Sequence, residues 1–214
     1  MKTKIALIAL LSVMSNAFHV QGAVNGSIDT GYTSEYHRRG AIVSQDAAQV
    51  GLSLNAGNLF GSVFTNQSVE TGSDTLEGVA GVNISVVDKL NLYAGVYNTQ
   101  IDMSGSTLEV FVTGSVDVLL QPSITIYRDT SDELYTFDLQ LTDKFTVKDI
   151  DFDITGTIGT TDATENDNVT YTALSVTGAK EIKENVCLHA SVTASDTDAR
   201  DVEYFYGAGL TVKF

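Results

Sequence analysis

One grouping of residue types in the sequence could perform catalysis. His189 and Ser191 are separated by one residue, and Glu203 follows the serine by twelve positions. A serine nucleophile needs a base, and the base needs a group that orients it, so these three types are a minimal set for acyl hydrolysis. Residues two apart on a strand project from the same face. A site in which Ser191 attacks, His189 accepts the proton and Glu203 orients the histidine is therefore one hypothesis.

The surroundings of this grouping favour a different interpretation. A His-x-Ser pair on one strand with a carboxylate on the next resembles lipid A deacylases, and the outer-membrane phospholipase uses a related His-x-Ser-Asn arrangement. Here Val192-Thr193-Ala194 follows the serine, where that family has an Asn-Ala-Gly-like continuation. Alternation places His189 and Ser191 on the polar face with Asn185, whereas an enzyme that attacks bilayer lipid needs them on the lipid side. We therefore expect two members of a polar network and no enzyme.

A second group of residues is acidic and shares the polar face of alternating segments. If that face lines a channel, closely spaced carboxylates would attract cations. The main opposing charges are His37 and Lys213, with Arg38 and Arg39 expected at a rim. The alternative is that the carboxylates pair with these bases and with hydroxyls and fill a narrow barrel. The residues expected to line the lumen and set selectivity are Asp29, Glu35, Glu77, Glu109, Asp138, Asp149, Asp151 and Asp153, and Asp117, Asp129 and Glu203 share their parity.

Both groups need a scaffold of strands, which the alternation itself predicts. In residues 202–214 the even positions are apolar and the odd positions are mostly polar or glycine. A period of two over this length indicates a strand. Gly209, Val212 and Phe214 fit the glycine-then-alternating-apolar ending of outer-membrane barrel proteins, whose last strand resembles an assembly signal. The same unit, two alternating runs of about ten residues joined by a turn, recurs along the chain.

Twelve such segments predict a closed antiparallel transmembrane β-barrel with both termini on one side. Tight or basic turns on the terminal side alternate with longer acidic connections, such as Thr160 to Asn168 and Ser195 to Asp201. In the first segment Tyr36 shares the outward face with Tyr32. In the tenth, a break of phase near Ala173-Leu174 predicts a bulge. A water-soluble sandwich would also alternate, but the enclosed-looking polar face favours the barrel.

The amino terminus predicts export. Lys2 and Lys4 precede an apolar run from Ile5 to Met14, which is too short to cross a bilayer as a helix. We expect a signal peptide over residues 1–22 and a barrel over residues 23–214, with cleavage after Gly22 or, alternatively, after Ala17. Export of a strand-rich chain with this pattern predicts localisation in the outer membrane of a Gram-negative cell.

Composition excludes several classes of function. The formal charge is −15 and becomes −17 when the signal removes its two lysines. Nucleic-acid binding needs a basic footprint and is not expected. The charge fits a cation-attracting lumen, loops neutralised by divalent ions at an anionic membrane, or solubility alone. The single cysteine, Cys187, excludes an intrachain disulfide. No cofactor or metal site is expected.

The segment Gly31 to Gly40 carries a second resemblance. Ser34, Tyr36, Arg39 and Gly40 match the S-[DN]-Y-x-x-R-G segment that opens the first strand of the TorF-like porin family, with Glu35 at the usual Asp or Asn position. Asp196-Thr197-Asp198 before a last strand ending in phenylalanine is similar to that family's ending. This resemblance implies a channel and identifies no solute.

The sequence therefore predicts a narrow, cation-preferring outer-membrane porin for small solutes or ions. The expected partners are outer-membrane lipid and lipopolysaccharide, the barrel assembly machinery, and the solute itself. Two alternatives from other classes are a lipid hydrolase that uses His189, Ser191 and Glu203, and a non-conducting structural or adhesive barrel.

Overall fold

Twelve antiparallel strands form the molecule. The structure is a computed structural model and describes residues 24–102, 105–162, 168–198 and 200–214; the expected signal peptide lies outside these ranges. The strands are β1 (Val24–Arg38), β2 (Ala41–Ala56), β3 (Leu59–Gly72), β4 (Thr75–Val87), β5 (Leu90–Ile101), β6 (Gly105–Val116), β7 (Ser123–Asp129), β8 (Tyr135–Val147), β9 (Ile150–Thr161), β10 (Val169–Lys183), β11 (Val186–Thr197) and β12 (Arg200–Lys213). Within the described part, no helix is long and apolar enough to span a membrane.

The sheet closes on itself because the first strand pairs with the last. β1 lies antiparallel to β12, with Ile28 opposite Val212 and Gly31 opposite Gly209. Beyond the ladder, the Gly26 and Phe214 backbones exchange two hydrogen bonds of 2.9 Å. Closure leaves no unpaired edge, which is the condition for placing strands in lipid. The predicted twelve-stranded closed barrel is confirmed.

The apolar side chains lie on the outside of this barrel. Ile158, Leu188 and Val192 are each at least half exposed, although strands in a water-soluble sheet would bury them. Among the described residues, the buried apolar side chains are Ala47, Ala56 and Tyr171. A molecule with this distribution has its apolar contacts outside rather than in a core, so its natural surroundings are lipid.

The connections opposite the termini are shorter than predicted. β1 and β2 are joined by residues 39–40 and β3 and β4 by residues 73–74, and residues 198–199 separate β11 from β12. The expected long connection from Ser195 to Asp201 is therefore wrong, because both strands extend into it. Only the turn residues separate these strands. Residues 162–168 between β9 and β10 are an exception, and they keep most of the length predicted for the connection from Thr160 to Asn168.

Two local predictions about regularity are corrected. β10 keeps its phase through Ala173 and Leu174, with Ala173 opposite Ser195, and its irregularity lies instead between Glu181 and Lys183. Asp149 lies in the turn before β9 and not in the strand. The outer half of the first hairpin holds irregularities that the alternation does not predict, between Tyr36 and His37 and between Gln45 and Ala47.

Candidate functional site

The tip of the first hairpin crosses the barrel lumen. We call residues 35–41 the inward hairpin. Its neighbours in the sheet are β12 and β3, yet Arg39 bonds to Glu109 on β6 and to Thr136 on β8. At the tip, a Cβ on Gly40 would lie 2.8 Å from side-chain atoms of Tyr171 on β10 and of Thr197 on β11. Contacts to strands this far around the sheet require the hairpin to fold inward.

Both faces of the inward hairpin contact the lumen wall. On one face the Tyr36 hydroxyl donates to Glu77 at 2.5 Å, and the Tyr36 ring lies 5.6 Å from that of Phe64. On the other face the His37 ring stacks on Phe205 with 4.2 Å between ring centroids. The prediction that Tyr36 faces outward is therefore wrong, because the strand leaves the wall before reaching it.

Glu109 anchors this hairpin at the centre of the lumen. It is 3% exposed, and its two carboxylate oxygens accept hydrogen bonds from Nη1 and Nη2 of Arg39 at 2.5 and 2.9 Å. Arg38 adds a third bond at 3.0 Å. A bidentate arginine–carboxylate pair is strong and directional, and this carboxylate lies between two guanidiniums. Arg38 and Arg39 were expected at a rim, and the structure places them at the constriction instead.

Aromatic rings stabilise the two arginines. The Arg39 guanidinium lies 4.3 Å from the centroid of the Tyr127 ring, and that of Arg38 lies 5.4 Å from the Tyr97 ring. Both distances are within the range of a cation–π contact. The Tyr97 hydroxyl also donates to Glu77, which joins the two carboxylate anchors into one network.

These tyrosines belong to a continuous aromatic wall on β3, β5, β6 and β7. Tyr93 contacts Phe60 at 6.1 Å between centroids, Phe60 contacts Phe111 at 6.4 Å, Phe111 contacts Tyr127 at 5.9 Å, and Tyr127 contacts Tyr97 at 6.3 Å. The alternation of apolar and polar residues does not predict this wall. Its signal is large aromatic residues at the polar parity of neighbouring segments, which is an unusual choice for a lumen filled with water.

The remaining acidic residues of the predicted lumen have local partners. The Asp29 carboxylate accepts from Thr211 at 2.5 Å, and Asp138 accepts from Tyr171. Asp151 accepts from Thr146 at 2.6 Å, and Asp153 lies 3.3 Å from the Lys144 ammonium. The partners of the acids predicted to line the lumen are thus Thr211 for Asp29, His37 for Glu35, Tyr36 and Tyr97 for Glu77, Arg38 and Arg39 for Glu109, Tyr171 for Asp138, Thr146 for Asp151 and Lys144 for Asp153.

Asp149 departs from the set of acidic residues predicted to line the lumen. It lies in a turn and pairs with the Lys180 ammonium at 2.5 Å, and Lys180 has the outward parity of β10. The hydrogen bond and charge of Lys180 hold the pKa of Asp149 below its ordinary value. A side chain just before a strand can rotate away from the face that its spacing predicts, so only Asp151 and Asp153 remain on the lumen face.

The predicted catalytic grouping does not assemble. His189 and Ser191 face the lumen and line a cavity of about 120 Å³ with Asp29, Gln49 and other residues. Ser191 lies opposite Gly207, and Glu203 is four residues further along β12, which is about 13 Å. Glu203 instead bonds to Arg200 at 3.2 Å. With Glu203 elsewhere, the pair has the inward position that the sequence predicts for a polar network.

The closed barrel, its apolar exterior and its polar constricted lumen define a class, the twelve-stranded transmembrane β-barrel. The KdgM porin in complex with disordered oligogalacturonate is similar with a TM-score of 0.65 and 15% identity, over 88% of this chain and 99% of that chain. The NanC porin is similar with a TM-score of 0.60 and 16% identity, over 90% and 100%. The COG4313 outer membrane channel from Pseudomonas putida F1 gives 0.55 and 13%, over 90% and 96%.

Sequence comparison adds no family to this structural likeness. No protein-family model matches the chain, and no curated protein matches it. The resemblance of residues 31–40 to the TorF-like family is therefore unconfirmed and stays a prediction. At identities of 13–16% the structural similarity shows the fold alone. The function must therefore be argued from the lumen itself.

Proposed function

We propose that the chain is an outer-membrane porin that admits small solutes or ions through a narrow lumen. The observation that carries this proposal is the inward hairpin: a closed barrel with an apolar exterior holds a segment across its polar interior. Glu109 with Arg38 and Arg39 holds this segment at a fixed place in the lumen. A loop held in the lumen in this way sets the size of what passes.

The constriction has two chemically different sides. The aromatic wall offers ring faces, whereas the strands opposite it offer hydroxyl groups such as those of Ser175 and Thr193. The adjacent strand β8 adds the Asp138 carboxylate. Rings present apolar area with fixed orientation, and polar groups opposite them fix the rotation of a bound molecule. This pairing supports passage of small solutes that have one apolar face and several polar groups.

Cation preference is the finer part of the proposal, and we assign it to the half of the lumen nearest the termini. At the constriction the carboxylates of Glu77, Glu109 and Asp138 are all bonded to tyrosine hydroxyls or to the guanidiniums of Arg38 and Arg39. Nearer the termini, three carboxylates on lumen-facing positions (Asp29, Asp151 and Asp153) exceed two bases, Lys144 and Lys213. This excess of negative charge would concentrate cations and repel anions.

Conductance in planar bilayers tests both parts. The expected result for the wild type is discrete channels whose reversal potential in a salt gradient shows cation preference. Replacing Asp151 and Asp153 together by Asn should lower that preference and leave folding intact. Asp149→Asn is the matched control, because Asp149 lies two positions before Asp151 but its side chain is outside the lumen. This substitution should leave the reversal potential unchanged.

Two different results would each contradict one part of the proposal. An unchanged reversal potential in a folded, conducting double variant would remove these aspartates from selectivity without affecting the porin proposal. Absence of conductance in folded wild type would remove the porin proposal and favour a structural or adhesive barrel. Folding is checked in each case by the shift between unheated and heated protein on SDS gels.

Localisation and assembly follow from the same proposal. An apolar exterior requires the outer-membrane lipid, and lipopolysaccharide would cover the outer half of the belt. The ending with Gly209, Val212 and Phe214 is proposed as the segment that the barrel assembly machinery binds. Outer-membrane lipid, lipopolysaccharide and the barrel assembly machinery are thus the proposed partners.

A further inference from the structure

Three metal-ligating side chains meet where β1 leaves the barrel wall. The backbone ladder between β1 and β12 ends with Thr33 opposite Gly207. Beyond this pair, Glu35 and His37 of the inward hairpin approach Glu203 of β12. One ligand atom from each of the three residues lies within 4.8 Å of the other two.

His37 is held as a ligand would be. Its side chain is 7% exposed, and its ring is stacked on Phe205, so its orientation is determined by packing. Nε2 lies 2.8 Å from Oε2 of Glu35. Nδ1 is buried and has no hydrogen-bond partner. Nε2 is therefore the ring nitrogen that faces the Glu35 carboxylate, and it is the ligand atom that His37 offers to the cluster.

The chemistry of the donors selects the class of ion. One imidazole nitrogen and two carboxylate oxygens suit Zn²⁺ and its neighbours among the divalent transition metals, whereas Mg²⁺ and Ca²⁺ prefer oxygen ligands alone. Bonds of about 2.0 Å require donor atoms about 3.3 Å apart, so the two glutamates need small rotations. We propose that Glu35, His37 and Glu203 bind a divalent transition-metal ion that joins the inward hairpin to β12.

Arg200 is the charge that competes with this ion. Its Nη1 lies 3.2 Å from Oε2 of Glu203, and its Nη2 donates to the carbonyl of Gly40. When a metal takes the Glu203 carboxylate, Arg200 keeps its bond to the hairpin tip. The exchange therefore leaves the Arg200 guanidinium with a partner, and the Glu203 carboxylate is free to turn toward the ion.

Zn²⁺ titration of the folded barrel in detergent tests the site. The expected result is one saturable site in the wild type, with affinity lowered by about tenfold or more in His37→Ala and in Glu203→Gln, since even outer-shell partners contribute that much. His189→Ala is the matched control, because that histidine also faces the lumen and lies outside the cluster, and its affinity should equal that of the wild type. Mg²⁺ in excess should not displace the zinc.

A spectroscopic measurement covers the case in which the His37 variant changes the hairpin. Cu²⁺ added to wild type should give an electron paramagnetic resonance spectrum with coupling to one imidazole nitrogen, and the coupling should disappear in His37→Ala and remain in His189→Ala. Equal Zn²⁺ affinity in wild type and His37→Ala, or displacement by Mg²⁺, would overturn the proposal. Because neither measurement uses conductance, the site and the porin proposal stand or fall separately.

Discussion

At the scale of single residues, Glu109 decides whether the constriction holds. Replacing it by Gln removes the carboxylate that is bonded to both Arg38 and Arg39, at a position that is 3% exposed. Removing one partner of a buried ion pair is costly, and we expect a loss of about 2 kcal/mol in the free energy of unfolding. The freed hairpin should raise single-channel conductance, and the unpaired guanidiniums should shift the reversal potential toward anions.

The control for this variant is Glu133→Gln. Glu133 also bonds to an arginine, Arg128, at 3.0 Å, but its side chain is 76% exposed. An exposed pair contributes little, so stability and conductance should both match the wild type. Equal effects of the two substitutions on urea unfolding and on conductance would show that Glu109 is not the anchor.

Ser191 provides the residue-scale test of the hydrolase alternative. Its hydroxyl faces the lumen near Gly207, away from lipid, and Glu203 is distant from it. Ser191→Ala should therefore leave conductance unchanged, and the release of fatty acid from labelled phospholipid should be at background for both proteins. Phospholipid hydrolysis that the wild type performs and the variant lacks would restore the hydrolase reading.

The sequence predicts the direction of most side chains but not their partners. Alternation places Asp29, Asp138 and Ser191 inside correctly, because direction in a strand is a local property. It fails for Arg39, whose partner Glu109 is seventy positions away. Nothing in a period of two can indicate that a rim residue will reach the opposite wall.

At the scale of elements, the inward hairpin depends on Gly40. This residue has a φ of 77°, which favours glycine, and a Cβ would lie 2.8 Å from Tyr171 and Thr197. Gly40→Ala should displace the tip from the lumen and raise conductance. The measurement is single-channel current at fixed salt, compared with wild type.

Gly57→Ala separates displacement from backbone strain. Gly57 has a φ of 58° in the turn after β2, and a Cβ there would meet nothing within 4 Å. Both variants carry the cost of a positive φ, about 1 kcal/mol, but only Gly40→Ala adds a steric contact. If both variants or neither raised the conductance, the tip would not be the constriction.

The strands were predictable as elements, and the behaviour of the hairpin was not. The segments from Val24 and Leu90 alternate cleanly, since one face meets lipid throughout. Tyr36 breaks the prediction because both faces of its segment contact protein, so polar and aromatic residues mix without a period.

At the scale of the whole molecule, Phe214 completes the closure. Its backbone exchanges two hydrogen bonds with Gly26, and its ring lies over that glycine. Deleting Phe214 should lower the yield of heat-modifiable protein in the outer membrane, because the seam and the proposed assembly segment lose their last residue. Phe145→Ala is the control, since it removes a similarly exposed outward ring without touching the seam. Normal yield of the truncated protein would refute this role.

The inward hairpin also carries charge through a region where a transmembrane voltage falls. Residues 35–40 hold two arginines and one glutamate, which gives a formal charge of +1 with His37 neutral. Moving one charge across the whole field is worth about 2.3 kcal/mol at 100 mV, so a displacement across a quarter of it is worth about 0.6 kcal/mol, close to the thermal energy. Voltage positive on the side of the termini would push the tip outward, and the opposite polarity would press it inward. Channels inserted in one orientation should therefore rectify weakly, and the sign of that rectification would report which way the hairpin points.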